Sequence, residues 1–263
     1  MLKIGVFDSG LGGLTVVKAM IRVIKGADFF YIADTKNAPY GDKTSSEILQ
    51  YSLDITQYFI KKHAIDVLIV ACNTATSVAI TSLRQKYPKL IIIGTEPGLK
   101  PAITQTKSNV IGVLATSATL KGEKYCQLTQ KLFSSSCVKL YEQACVGLVE
   151  QIEKGEASSL KTYKMLEEWL IPMKKNSVDT IVLGCTHYPL VTTSIEKIME
   201  KPIFLVNTAE AISQHLLTQC LHLGHKNSGD LKVRIYMTDT INKGMVDYIL
   251  HKVELIEKID IKT

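Results

Sequence analysis

Arginine is scarce: of 31 basic residues only Arg22, Arg84 and Arg234 are arginines, and the rest are lysines. Forked contacts to bases and phosphates favour arginine, so this balance argues against a chain that reads nucleic-acid sequence. The net charge is +6, without a basic tail or stripe. The only adjacent lysine pairs, Lys61-Lys62 and Lys174-Lys175, read as solvated helix faces. Long apolar runs are missing as well. Runs such as Val67-Leu68-Ile69-Val70-Ala71-Cys72 fall far short of the ~20 residues that a bilayer span needs. Asp8 interrupts the first apolar stretch too soon for a secretory signal. The expectation is a cytoplasmic protein with no membrane or nucleic-acid partner.

Cys-x-x-Cys is absent, which removes both a thioredoxin-like site and a zinc ribbon. Without an export signal, the six cysteines are expected as thiols. His215, His222 and His225 lie within eleven residues, but no nearby ligand set completes a metal site. They read as the polar end of a helix before Gly224, and no metal is expected. A Gly-Lys-Ser/Thr phosphate loop is also absent.

What is present is apolar residue in quantity, 46% of 263 residues, arranged in an alternating order of elements. Lys3 to Phe7 reads as a buried strand, Asp8 to Gly13 as a glycine turn, and Leu14 to about Lys25 as an amphipathic helix. Further strands are expected at Asp28 to Ala33, Val67 to Ala71 and Leu90 to Ile93, with helices at Ser45 to His63 and Thr74 to about Tyr87. All-apolar strands alternating with helices indicate a doubly wound parallel sheet.

The alternation then restarts. Ile4-Gly5-Val6-Phe7-Asp8-Ser9 matches Ile111-Gly112-Val113-Leu114-Ala115-Thr116. Ile65 to Thr74 (IDVLIVACNT) matches Val178 to His187 (VDTIVLGCTH). The offsets, 107 and 113 residues, fit one duplication with a small insertion. The fold class expected is α/β: two similar doubly wound α/β domains related by pseudo-two-fold symmetry, with the active site in the cleft between them. Beyond Asn207, a helix from Ala209 to about Gly224, a strand from Val233 to Met237 and a helix from Lys243 to about Ile256 are expected to complete the first domain. The domains are then 1–96 plus 207–263, and 97–206.

Cys72 and Cys185 occupy matching positions at strand ends just before helices, where ligands bind in open α/β sheets. A helix N-terminus there should lower a thiol from ~8.5 toward neutrality. Two thiols approaching one ligand from opposite faces suit inversion at an acidic carbon. One removes a proton, the other delivers one, and the reverse reaction swaps the roles.

Three other classes remain open at this point, one of them a binding or regulatory protein on this scaffold without turnover. A nucleotide-binding oxidoreductase would use Gly10-Leu11-Gly12-Gly13 and Asp34, but Thr15 replaces the third glycine and Asp8 would oppose a pyrophosphate. A dithiol redox protein would join Cys72 to Cys185, which needs α-carbons within ~7 Å.

Four segments carry a resemblance: Phe7 to Leu14 (FDSGLGGL), Ala38 to Gly41 (APYG), Ala71 to Ala75 (ACNTA) and Leu183 to Leu190 (LGCTHYPL). In order and spacing the chain resembles the glutamate racemases, within the cofactor-independent aspartate/glutamate racemase superfamily. The resemblance implies interconversion of L- and D-glutamate without any cofactor, supplying D-glutamate for peptidoglycan. It implies Cys72 and Cys185 as the acid/base pair, Asp8 assisting Cys72, and His187 with Glu150 assisting Cys185. Ser9, Tyr40, Gly41, Asn73, Thr74, Thr116, Thr119 and Thr186 would hold the substrate. It also implies a homodimer. Aspartate racemase is the nearest competitor, one methylene away. Cys145-Val146-Gly147, Asn207 and Lys36-Asn37 depart from the common pattern. The chain begins almost at its first strand, so activation by a peptidoglycan precursor is not expected.

Overall fold

The computed structural model describes residues 1–134, 136–250 and 253–261. Its first sheet starts with β1 (Leu2–Asp8), which is followed by α1 (Leu14–Val23), β2 (Ala27–Ala33), α2 (Ser45–His63), β3 (Val67–Val70), α3 (Asn73–Lys86) and β4 (Ile91–Gly94). Apolar side chains fill both faces of these strands. Ile4, Val6, Phe29, Tyr31, Val67 and Ile69 pack into one core, whereas Phe7, Phe30, Ile32, Leu68 and Val70 pack into another. Alternation of side chains along a strand produces this division, and helices on both faces require it. Helix α2 starts where Thr44 and Glu47 form a reciprocal capping box.

The second sheet follows through α4 (Leu99–Gln105), β5 (Val110–Ala115), α5 (Ser117–Lys121), α6 (Glu123–Phe133), β6 (Lys139–Ala144), α7 (Leu148–Glu153), α8 (Leu160–Lys175), β7 (Thr180–Gly184), α9 (Thr192–Met199) and β8 (Phe204–Val206). Its strand order is β6-β5-β7-β8. The first sheet contains the same order, β2-β1-β3-β4, with every recorded pairing parallel. Register repeats too: Ile4 opposes Val67 as Ile111 opposes Thr180, and Phe7 opposes Val70 as Leu114 opposes Leu183. The duplicated sequence therefore folds twice into one topology.

The chain ends with α10 (Ala209–His222), β9 (Lys232–Met237), α11 (Lys243–Ile249) and β10 (Leu255–Lys258). Strand β9 pairs with β2, and β10 pairs with β9, which extends the first sheet to six strands. One expectation fails here. The helix read from Lys243 to about Ile256 stops at Ile249, and Leu255–Lys258 is an edge strand instead. Met245, Val246 and Ile249 bury the helical face; Val253 and Ile256 would continue its period, but the backbone of Leu255–Lys258 pairs with β9 instead, so tertiary pairing overrides the local pattern. His251 and Lys252, within that expected helix, lie outside the described residues. Among the described residues no helix is long and apolar enough to cross a membrane.

Candidate active site between the two sheets

Parallel strands deliver their carboxyl ends to one edge of each sheet, and the two edges meet. Strand β1 ends in Asp8 and is followed by Ser9; Cys72 lies two residues beyond β3; Thr116 and Cys185 follow β5 and β7 directly. All five side chains line one cavity of about 40 Å³, together with Tyr40, Gly41, Asn73, Thr74, Glu150, Thr186 and His187. Every expected site residue except Thr119 reaches this cavity. Thr119 is buried behind the wall, where it bonds Thr116 (3.0 Å) and Thr74 (3.3 Å). Thr74 and Thr116 also meet at 2.9 Å, so three hydroxyls tie the two sheets together beside the cavity.

The thiols differ in their partners. Cys72 is the N-cap of α3; its sulfur accepts the Ala75 N–H (3.4 Å) and lies 3.9 Å from Ser9 Oγ. The expected lowering of this thiol does not occur. Burial pushes it up, the Asp8 charge adds to that, and the Ala75 N–H offsets only part. Cys185 instead faces His187, with Sγ 3.6 Å from Nδ1. Both cysteines are free, and both are nearly closed to solvent.

His187 is completely buried, which opposes its charging, yet its hydrogen bonds to Cys185 and Glu153 hold it well above the ordinary imidazole range. Glu153 stays below the usual carboxylate range despite its own burial, because it bonds His187 and accepts the Leu11 N–H (2.6 Å). The Gly12 N–H also points at His187 Nε2 (3.1 Å). Only the neutral ring has a lone pair for that contact, so the two arrangements belong to two protonation states of His187. The carboxylate on His187 is thus Glu153, one helical turn beyond Glu150. Glu150 lines the cavity and makes no side-chain hydrogen bond among the described residues.

Asp8 is buried, and burial raises it above the usual carboxylate range against the pull of His187, the Gly13 N–H and Thr186. Its Oδ2 accepts from Gly13 N–H (2.6 Å) and from Thr186 Oγ1 (3.0 Å). Among the described residues its Oδ1 has no partner, nor does Asn73 Nδ2; both residues line the cavity. Buried polar atoms of this kind are the places where a polar ligand gains most. Glycine is required in the turn that brings these groups together. A Cβ on Gly13 would lie 2.7 Å from Asp8 Cβ, and one on Gly12 would enter the His187 ring.

Two residues escaped the sequence reading. Glu153 had a usable signal, since it shares α7 with Glu150 at a spacing of three. Cys145 adds a third thiol to the cavity wall, and burial pushes it up. Asp34 is not available to a nucleotide ribose: its carboxylate accepts from Tyr40 Oη (2.6 Å), Asn37 and Thr238. The three C-terminal imidazoles are not gathered for a metal. His225 Nε2 meets the Lys25 carbonyl at 2.7 Å, while His215 lines a different cavity.

The sequence profile of the Asp/Glu/Hydantoin racemase family matches residues 4–216. The chain belongs to this family. Among its racemase relatives, the glutamate racemase of Sulfurovum sp. (strain NBC37-1) is 58% identical over 262 residues, covering 100% of this chain and 99% of that one. Among solved racemases, a glutamate racemase isoform from Bacillus anthracis superposes with a TM-score of 0.87 at 29% identity, covering 98% and 97% of the two chains. The glutamate racemase of Francisella tularensis, solved in complex with D-glutamate, gives 0.85 at 26% identity, covering 99% and 98%.

Proposed function

We propose that the chain interconverts L- and D-glutamate by direct proton transfer at the α-carbon, with no cofactor. The observation that carries this reading is the pair of thiols at equivalent strand ends facing one cavity. The glutamate racemases it resembles over their whole length supply the substrate. One thiol takes the α-proton from one face while the other gives its proton to the opposite face, so the enzyme ends with the proton on the other side. Reversal exchanges the donor and the acceptor.

The neighbours fit that exchange. Asp8 stands beside Cys72 and can accept its proton before the α-proton is removed. The His187 imidazolium can hold a negative Cys185 sulfur and return a proton to it. Ser9, Asn73, Thr74, Thr116 and Thr186, with the backbone at Tyr40 and Gly41, would hold the two carboxylates and the ammonium; Thr119 would support Thr74 and Thr116 from behind. We assign Glu150 to the cavity wall and the support of His187 to Glu153. The two bodies in this proposal are 1–96 with 207–263, and 97–206. The product would serve peptidoglycan assembly in the cytoplasm, and the active species would be a homodimer.

The test is a stereochemical assay of the purified chain, without added cofactor, on L-glutamate and L-aspartate side by side. D-glutamate should form, with aspartate turned over at least about tenfold more slowly, the scale of one methylene in a fitted pocket. Preference for aspartate, or strict dependence on pyridoxal phosphate, would contradict the proposal.

A further inference from the structure

We propose that Thr238, in the C-terminal segment, is a positioning residue that sets the loop carrying Tyr40 and Gly41 at the cavity wall; the inference rests on the glutamate-racemising reading above. Thr238 follows β9, and its N–H donates to the Ala33 carbonyl (3.1 Å), carrying the β2–β9 ladder one residue further. Its Oγ1 donates to Asp34 Oδ1 (2.8 Å) and accepts the Lys36 N–H (3.0 Å). On the other carboxylate oxygen, Asp34 accepts Tyr40 Oη (2.6 Å). Asn37 Nδ2 reaches both oxygens at 3.1 Å. One buried carboxylate therefore joins the C-terminal strand to the loop between β2 and α2. A second bond beside it, Asp239 N–H to Thr35 Oγ1 (2.9 Å), ties the same two segments.

That loop needs an external support. Its only regular piece is a single 3-10 turn over Tyr40–Asp42, yet Tyr40 and Gly41 must keep fixed places on the cavity wall. The phenol of Tyr40 is spent on Asp34, so the cavity meets the rest of the residue and the following backbone. Displacing Asp34 by a few tenths of an ångström moves that wall directly. Without the Thr238 hydroxyl, Asp34 Oδ1 keeps only Asn37 and the Lys36 N–H loses its acceptor. Unpaired buried groups are costly, and the loop would shift to find water. The thiols stand beyond β3 and β7 and are untouched by the shift. Substrate binding should weaken while the chemical step persists.

The experiment uses the full chain and the variants Thr238→Val, Thr238→Ser, Tyr40→Phe and Lys258→Ala. Thr238→Val should raise KM for L-glutamate about tenfold and leave kcat within about twofold. Tyr40→Phe, which cuts the same relay at its other end, should give a similar rise even if Thr238→Val folds poorly. Thr238→Ser should return KM to within about twofold of the parent. Lys258→Ala removes an exposed bridge to Asp239 on the same edge and should leave KM unchanged. Amide exchange in residues 35–43 should quicken in Thr238→Val, a readout that does not depend on which amino acid is turned over. Unchanged KM with unchanged exchange, or a loss of kcat alone that serine does not rescue, would overturn the proposal. A parent chain that leaves glutamate untouched would instead overturn the functional reading, while the exchange measurement still decides the role of Thr238.

Discussion

The two halves of the molecule share strand order and register, yet they surround their thiols differently. Cys72 caps a helix and has Ser9 and Asp8 beside it; Cys185 has an imidazole held by a carboxylate. Duplication thus supplies equivalent positions without supplying equivalent proton partners. Each half also reaches into the other's site. Asp8 from the first accepts from Thr186 of the second, and Glu153 from the second accepts the Leu11 N–H of the first. In the proposed mechanism, a proton that leaves one face of the substrate would enter a different environment from one that leaves the other.

Removing either sulfur should have the largest effect. Cys72→Ala and Cys185→Ala should each lower kcat by about a thousandfold or more, with circular dichroism unchanged. Near-native turnover by either variant would mean that one half suffices. A smaller effect separates the two carboxylates of α7. Glu153→Gln should lower kcat about a hundredfold, whereas Glu150→Gln should stay within about threefold. The reverse order would return the support of His187 to Glu150.

Smaller still is the pH dependence of stability. Glu153 lies below its unfolded value, so its contribution is present above ~4.3 and fades as pH falls through its folded value. His187 lies above its unfolded value, so its contribution is full below ~6.5 and fades as pH rises through its folded value. The Tm difference between the parent and Glu153→Gln should be widest between about pH 4.5 and 6.5 and shrink in more acid solution. A difference that is flat with pH would show that the pair adds nothing by its charges.

Much of the fold was legible because it was written twice. The apolar runs at Val67 and Ile181 and the matching openings at Ile4 and Ile111 follow from a sheet covered on both faces, and such strands tolerate few other patterns. The thiol positions came with them, as strand ends next to helices. What stayed hidden depends on contacts between distant segments. Glu150 and Glu153 are equivalent by helical pattern, and only the approach of the Leu11 backbone to α7 selects one of them. The height of the Cys72 thiol follows from burial beside Asp8, which a helix-terminus argument ignores. Strand β10 is four residues long and mostly exposed, so its pairing to β9 leaves little trace in the pattern.

The most direct measurement is the isotope distribution early in turnover of L-glutamate in D₂O. With one thiol on each face, D-glutamate should carry deuterium at the α-carbon from the first molecules formed, while the remaining L-glutamate stays protonated. Product that keeps the substrate's own proton would mean a single base serving both faces, and would contradict the account.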